Sequence, residues 1–502
     1  MGTPEVKRGR RLTSRWQKAY IVPSARAPFH PHRLMEMCMT DARALQARLD
    51  QQRHAFATEP FPSAATRRDR LTRLANMTRH HRDEIAQAIH QDFGHRAEAE
   101  TRLAEVFPLL QASRHARRHL KRWMRPRRAA VPWRLQPAQA RIHRQPLGVV
   151  GIIAPANYPW SLALLPAVDA LAAGNRVMIK PSEQTPTTSA LLAQLAERYF
   201  APEELCVVTG DADTARAFAS LPFDHLLFTG SACIGREVAR AAAANLTPVT
   251  LELGGKTPAI VADDADLAHA ARRIAFGKWL NAGQTCIAPD HVLIDAARLP
   301  AFIEAIRGAV KAFYPQGTAS EDYSAVLGES ARLRLEGLLD EARDHGCRVI
   351  ELGERQSLDQ GNKLPPTLVV DPTANLAIIQ EEVFGPWLPV IGVRDFDAAL
   401  ARVTNGPSPL ALYAFTDDPT RRRRLLEQSR SGGVVFNDTL WHYAVPALPF
   451  GGIGESGMGA YQGETGFLRF SHQRSLFLQA RRNAVGLLDP PWRRWWLRLL
   501  GL

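Results

Sequence analysis

Val149-Val150-Gly151-Ile152-Ile153, then Ala154-Pro155-Ala156-Asn157-Tyr158-Pro159-Trp160 and a helical run to about Ala173, is the stretch that sets the fold. Five apolar residues in a row, bounded by turn residues, fit a strand buried on both faces. The pattern then repeats. Gly174-Asn175 ends the helix, 176–180 is a second strand, and Pro181-Ser182-Glu183 opens a helix that runs through Phe200. Residues 206–209 and 225–229 are two further strands, each followed by a helix. Strand–helix alternation at this spacing predicts an α/β fold with a doubly wound, mostly parallel sheet. A second α/β set begins near Leu253, with strands at 258–261, 291–294, 348–352, 367–370, 387–393, 410–415 and 433–436. The domain boundary therefore falls at 252/253.

Upstream, residues 41–123 are helical in pattern, in segments 41–56, 65–81, 82–93 and 97–123 broken at Pro60/Pro62 and Gly94. Residues 125–146 hold three internal prolines and short β-prone pieces, an excursion from the helical body. Residues 1–40 are basic and lack helical periodicity, which predicts a disordered arm, or a start of translation at Met35, Met37 or Met39. Residues 467–479 resemble a closing strand. The segment Pro490–Leu500 puts Trp492, Trp495, Trp496, Leu499 and Leu500 on one helical face, an amphipathic tail whose expected place is against the protein, with peripheral membrane contact the alternative.

The net charge of +13 raises the question of nucleic acid. Residues 1–40 contribute +6 and residues 490–502 +3, which leaves +4 for the body. A nearly balanced body argues against a nucleic-acid partner. The run Arg421–Arg424 fits a solvated helix face. Five cysteines, an odd number with no CxxC, fit reduced thiols and a cytoplasmic location. His80, His81, His90 and His95 lie in helical sequence without partnering cysteines, so no metal site is expected.

Six stretches carry candidate chemistry. Asn281-Ala282-Gly283-Gln284-Thr285-Cys286 displays a thiol on a short polar turn, where a substrate can reach it. Leu251-Glu252-Leu253-Gly254-Gly255-Lys256 sets a carboxylate between leucines, which raises its pKa and suits a general base. Lys180-Pro181-Ser182-Glu183 leaves the carboxyl end of a strand, where α/β sheets bind nucleotides. Thr229-Gly230-Ser231-Ala232-Cys233-Ile234-Gly235 joins a strand to a helix and suits a pyrophosphate, although it is not GxGxxG. Glu381-Glu382-Val383-Phe384-Gly385-Pro386 offers an acid and an aromatic beside a rigid turn. Phe450–Gly459 has five glycines in ten residues and reads as a flexible loop.

In their order and spacing these stretches resemble the aldehyde dehydrogenase superfamily over residues 41–490. Asn437-Asp438-Thr439-Leu440 with His442, then residues 448–463 and Phe470-Ser471-His472, lean to its class 3 branch and within it to the coniferyl aldehyde dehydrogenases. The resemblance implies an aldehyde dehydrogenase fold: a variant Rossmann NAD-binding domain (41–124 and 147–252), a catalytic domain (253–447), a Gly-rich active-site loop (448–464) and a bridging oligomerisation element (125–146 and 465–482) that pairs two subunits in a homodimer. Residues 483–502 are the tail. It implies Cys286 as nucleophile, Asn157 and the Cys286 N–H as oxyanion donors, and Glu252 as the base that activates water. It places Lys180, Ser182 and Glu183 at the adenine ribose, Gly230, Ser231 and Gly235 at the pyrophosphate, Glu382 at the nicotinamide ribose and Phe384 beside the ring. NAD is the implied cofactor, with NADP possible, because Glu183 repels a 2′-phosphate while Lys180 offsets it. The implied substrate is a small-molecule aldehyde, aromatic or phenylpropanoid such as coniferaldehyde, with medium- or long-chain fatty aldehydes the alternative. Tyr158, Trp160, Trp279, Trp441, His442 and Tyr443 are candidate walls of its tunnel. Glu252 argues against a coenzyme A-acylating relative, which needs no water-activating base. A non-catalytic scaffold is disfavoured by Asn157, Glu252 and Cys286 occurring together.

Overall fold

A six-stranded and a seven-stranded sheet, with a smaller antiparallel one, organise the computed structural model, which describes residues 31–353, 362–483 and 485–490. The six-stranded sheet runs Gly457–Met458, Val249–Leu253, His225–Gly230, Val149–Ile153, Arg176–Lys180, Leu205–Val207. All neighbours are parallel except the first pair. Val149–Ile153 is buried at every position, as its unbroken apolar run requires. From it the chain proceeds outward to Arg176–Lys180 on one side and returns to His225–Gly230 on the other. The crevice at the carboxyl ends of these central strands is where such sheets hold ligands. Ser161–Ala173, the helix after the first strand, is wholly buried.

The seven-stranded sheet runs Arg348–Glu351, Thr367–Val370, Trp387–Val393, His291–Asp295, Pro258–Val261, Ala411–Phe415, Gly433–Phe436, parallel but for its first pair. The third sheet joins Arg127–Ala129, Gln139–Pro146 and Ser471–Leu478, all antiparallel. It draws together the proline-rich excursion and the closing strand.

Several expectations need correction. The first helix is Pro31–Thr58, so residues 31–40 belong to it; residues 1–30 lie outside the described residues, as do 491–502 of the tail. The helical stretch 97–123 is interrupted by a π-helical turn at Arg102–Val106 between Glu98–Thr101 and Phe107–Trp123. Residues 467–479 do not form one strand: Gly463–Arg469 is helical and the strand is Ser471–Leu478. The glycine-rich loop is partly a strand, with Gly457 in register with Glu252. Val249–Leu253 went unpredicted because its alternation of Thr and Glu with apolar residues hides a buried strand. It ends on Leu253, and the second sheet begins at Pro258. Arg421, Arg422 and Arg424 do sit on a surface helix, paired with Asp264, Asp417 and Asp397 at 2.7, 2.6 and 2.8 Å.

Candidate active site

The helix Leu267–Trp279 ends where Asn281 (φ 54°) and Ala282 (φ 50°) turn left-handed, followed by Gly283 (φ 80°). Such a backbone costs about 1–2 kcal/mol at a non-glycine residue and persists because the turn is over-determined. Gln284 Nε2 donates to the Asn281 and Ala325 carbonyls, each at 3.0 Å, and Gln284 Oε1 accepts from the Leu327 N–H at 2.8 Å. Gly283 is required, since a Cβ there would lie 2.1 Å from the Gly385 carbonyl oxygen. The turn delivers Cys286 to the wall between two cavities. The thiol is thus not displayed on the surface, as the polar turn suggested, but half-buried at a junction.

Glu252 stands in the adjoining strand, 1 % exposed, and neither carboxyl oxygen has a hydrogen-bonding partner among the described residues. Burial pushes its pKa up to about 8, and the nearby Cys286 thiol offsets a little of the rise. Burial pushes the Cys286 thiol far up as well, with the Glu252 and Glu382 carboxylates adding to it. Thiolate and carboxylate cannot comfortably ionise together here. The arrangement can therefore pass a proton between thiol and carboxyl, with one of the two charged at a time.

Asn157 is held from several directions. Its Nδ2 donates to the Gln284 carbonyl at 3.0 Å, and its own carbonyl accepts from Asn281 Nδ2 at 3.0 Å and from Arg96 Nη1 at 3.1 Å. Arg96 is itself buried, paired with Glu100 at 3.1 Å and laid over the Tyr158 ring at 5.0 Å. The second N–H of the Asn157 amide remains for a ligand. Asn157, Glu252 and Cys286, 129 residues apart at the extremes, line one cleft.

That cleft, of ≈1330 Å³, also holds Lys180, Ser182, Glu183, Gly230, Ser231, Glu382 and Phe384. Lys180 Nζ lies 3.3 Å from the Glu183 carboxylate, the lysine buried and the acid 43 % exposed. Ser231 caps the helix Ala232–Ala243, whose N-terminus opens on the cleft. Burial pushes Glu382 up to about 8, with Asp290 adding to the rise and the Gly255 N–H opposing it. Asp290 pairs with Lys256 and accepts from the Val383 N–H at 2.8 Å, so it fixes the Glu382 loop. Neither Asp290 nor buried Lys278, whose pKa burial lowers to about 8, stood out in the sequence. Gly235 does not line the cleft. A Cβ there would lie 2.6 Å from Leu253, so this glycine lets helix and strand pack.

On its other side Cys286 lines a narrow, almost wholly apolar cavity of ≈100 Å³ with Tyr158, Trp441, Tyr443 and Phe450. Tyr158 and Thr285 bond each other at 2.6 Å. Trp160 and Trp279 are core, their indoles bonded to Thr78 and the Pro386 carbonyl at 3.1 Å each, and His442 packs on Phe450 outside the lining. Leu103, Ala104, Phe107 and Pro108, contributed by the π-helical turn and the helix after it, complete the wall. The trace they leave in sequence is Leu103 and Phe107, two large apolar residues one turn apart on an otherwise solvated face.

The profile of the aldehyde dehydrogenase family matches residues 23–476. The chain belongs to the aldehyde dehydrogenase family. A Pseudomonas aeruginosa protein named as a probable coniferyl aldehyde dehydrogenase is 45 % identical over 91 % of this chain and 96 % of its own. The coniferyl aldehyde dehydrogenase of a Pseudomonas species is 42 % identical over 88 % and 92 %. The substrate-bound structure of Staphylococcus aureus AldH superposes with a TM-score of 0.85 at 34 % identity, covering 93 % of this chain and 99 % of the other. As an aldehyde dehydrogenase the protein oxidises an aldehyde to the carboxylic acid with NAD(P). No helix among the described residues is long and apolar enough to cross a membrane.

Proposed function

We propose that the chain oxidises aromatic, phenylpropanoid-type aldehydes such as coniferaldehyde, and that Cys286, Glu252 and Asn157 carry the reaction. The observation that supports this most is the position of Cys286 between an apolar cavity and a polar cleft, with Glu252 unpartnered beside it. The aldehyde enters by the cavity, and Glu252 takes the thiol proton as sulfur attacks the carbonyl carbon. Asn157 Nδ2 donates to the oxygen that becomes negative. NAD held in the cleft would supply the hydride acceptor. Glu252 passes the thiol proton to solvent through the open cleft and, again a carboxylate, takes a proton from water as that water attacks the thioester; the thiolate is expelled and the carboxylic acid departs.

The cleft suits the cofactor. Ser231 and Gly230 at the helix N-terminus face the pyrophosphate, Lys180, Ser182 and Glu183 the adenine ribose, and Glu382 with Phe384 the nicotinamide half. The exposed Glu183 favours NAD over NADP by repelling a 2′-phosphate. Gly254 forms a cradle, since a Cβ there would lie 1.9 Å from Glu382 Oε2. Gly254→Ala is therefore expected to raise the KM for NAD about tenfold with a smaller effect on kcat. Gly308→Ala, where nothing lies within 4 Å of the added carbon, serves as its control in the same cofactor titration.

Two copies pair through the outer strand Ser471–Leu478, whose residues from His472 onward are exposed, in a homodimer. Four free cysteines among the described residues suit the cytoplasm. The apolar wall also admits a second reading, a medium-chain alkyl aldehyde. Kinetics with coniferaldehyde, benzaldehyde and alkyl aldehydes, each with NAD and NADP, decide the matter. The highest kcat/KM is expected for coniferaldehyde with NAD; a higher value for the alkyl series would replace the aromatic reading.

A further inference from the structure

Residues 106–168 contain eleven Lys or Arg and no Asp or Glu. On the helix Phe107–Trp123, Arg114, Arg117, Arg118, Lys121 and Arg122 are all exposed at the spacing of one helical face. Exposed Arg125, Arg127 and Arg128 prolong the stripe into the antiparallel sheet. Arg122 pairs with Glu464 at 3.3 Å, and Arg144 of the neighbouring strand shares that carboxylate at 3.4 Å. The other seven have no acidic partner within 4 Å among the described residues.

Ordinary solvated helix faces in this chain look different. Arg73 pairs with Asp69, Arg102 with Glu98 and Arg332 with Glu336, each one turn away. Here Arg114 and Arg118, Arg117 and Lys121, and Arg118 and Arg122 are like charges one turn apart, and each pair works against the helix. A face that weakens its own helix calls for an anion from outside.

We propose that this stripe docks the enzyme peripherally on the anionic headgroups of a lipid bilayer. A row of unpaired Lys and Arg is what a negatively charged surface attracts. Trp133, 74 % exposed, stands on the connection between Arg127–Ala129 and Gln139–Pro146, and tryptophan is favoured at the membrane–water boundary. The rings on the helix itself do not serve as stacking platforms for bases. Trp123 is fully buried, and His115 and His119 pack against it with centroids 5.6 and 5.9 Å away. Single-stranded nucleic acid binds where basic and exposed aromatic side chains interleave; the one exposed ring of this helix, Phe107, lies at its start, before the basic run, and lines the apolar cavity.

The test is co-sedimentation of the full-length enzyme with phosphatidylcholine vesicles, with and without phosphatidylglycerol. Phosphatidylglycerol should raise the bound fraction at low salt at least tenfold, and high salt should reverse it. Replacing Arg114, Arg117, Arg118 and Lys121 together by serine should lower the partition coefficient a hundredfold or more, at about fivefold per residue. Aldehyde oxidation in vesicle-free buffer should be unchanged, which reports that the variant folds. A chain ending at Pro490 should still bind. Equal binding to both vesicle types, wild-type binding by the serine variant, or loss of binding on truncation alone would overturn the proposal. So would binding of a short RNA, weakened by the same four substitutions, without binding to anionic vesicles.

Discussion

Cys286→Ala is expected to abolish aldehyde oxidation, by a factor on the order of 10⁴ or more, while NAD should still bind. No other described thiol can substitute. Cys206 is buried, and burial pushes its pKa up to about 11; Cys233 lines the larger cleft but not the apolar cavity, and Cys347 lines neither. Alanine removes the sulfur and leaves the turn intact, because Asn281, Gly283 and Gln284 hold it through backbone and amide contacts that do not involve the thiol. The loss therefore appears in turnover and not in folding. Cofactor binding by nicotinamide-adenine fluorescence titration checks this in the same preparation.

Glu252→Gln separates the two halves of the reaction. General-base contributions are typically 10²- to 10⁴-fold, and steady-state turnover should fall by roughly that range. A rapid first turnover, one NADH per active cysteine, is expected to persist at alkaline pH, where the thiol can lose its proton to solvent. The pH dependence has a definite sign. With its pKa raised to about 8, Glu252 is largely protonated near neutrality and becomes a competent base as the pH rises through 8. Wild-type kcat should therefore climb between about pH 7 and 9, and the glutamine variant should lose that limb of the profile. Burial also predicts a stability effect of the same group. Its folded pKa lies above the usual carboxyl value of 4.5, so the stability it contributes is fully present below that value and is lost as the pH rises through 8.

Much of this was legible in the sequence. The strands Val149–Ile153, Arg176–Lys180 and Pro258–Val261 announce themselves by short apolar runs, in the second the Val177-Met178-Ile179 centre between Arg176 and Lys180, closed by turn residues, because a strand covered on both faces must be apolar along its buried centre. The turns that carry Asn157 and Lys180–Glu183 were legible for a related reason: they leave the carboxyl ends of the first two of those strands, where the sheet converges on its ligand. What was not legible depends on neighbours distant in sequence. Gly235 sits in a glycine-bearing turn yet serves packing against Leu253, a strand away. Trp160 and Trp279 flank the motifs and point their indoles into the core, to Thr78 and Pro386. The π-helical turn at Arg102–Val106 carries no propensity signal, since it differs from an α-helix by a single hydrogen-bond register, yet it contributes Leu103 and Ala104 to the aldehyde cavity. The Arg96–Glu100 pair that steadies Asn157 is likewise invisible until the helix and the turn are brought together.

Covalent chemistry at Cys286, with release governed by Glu252, is best tested by mass spectrometry of the Glu252→Gln enzyme after brief mixing with coniferaldehyde and NAD. The acyl group of the aldehyde should be found on the peptide that contains Cys286, in near-stoichiometric amount and removable by hydroxylamine. An unmodified Cys286 in an enzyme that has nevertheless produced its first equivalent of NADH would contradict the account.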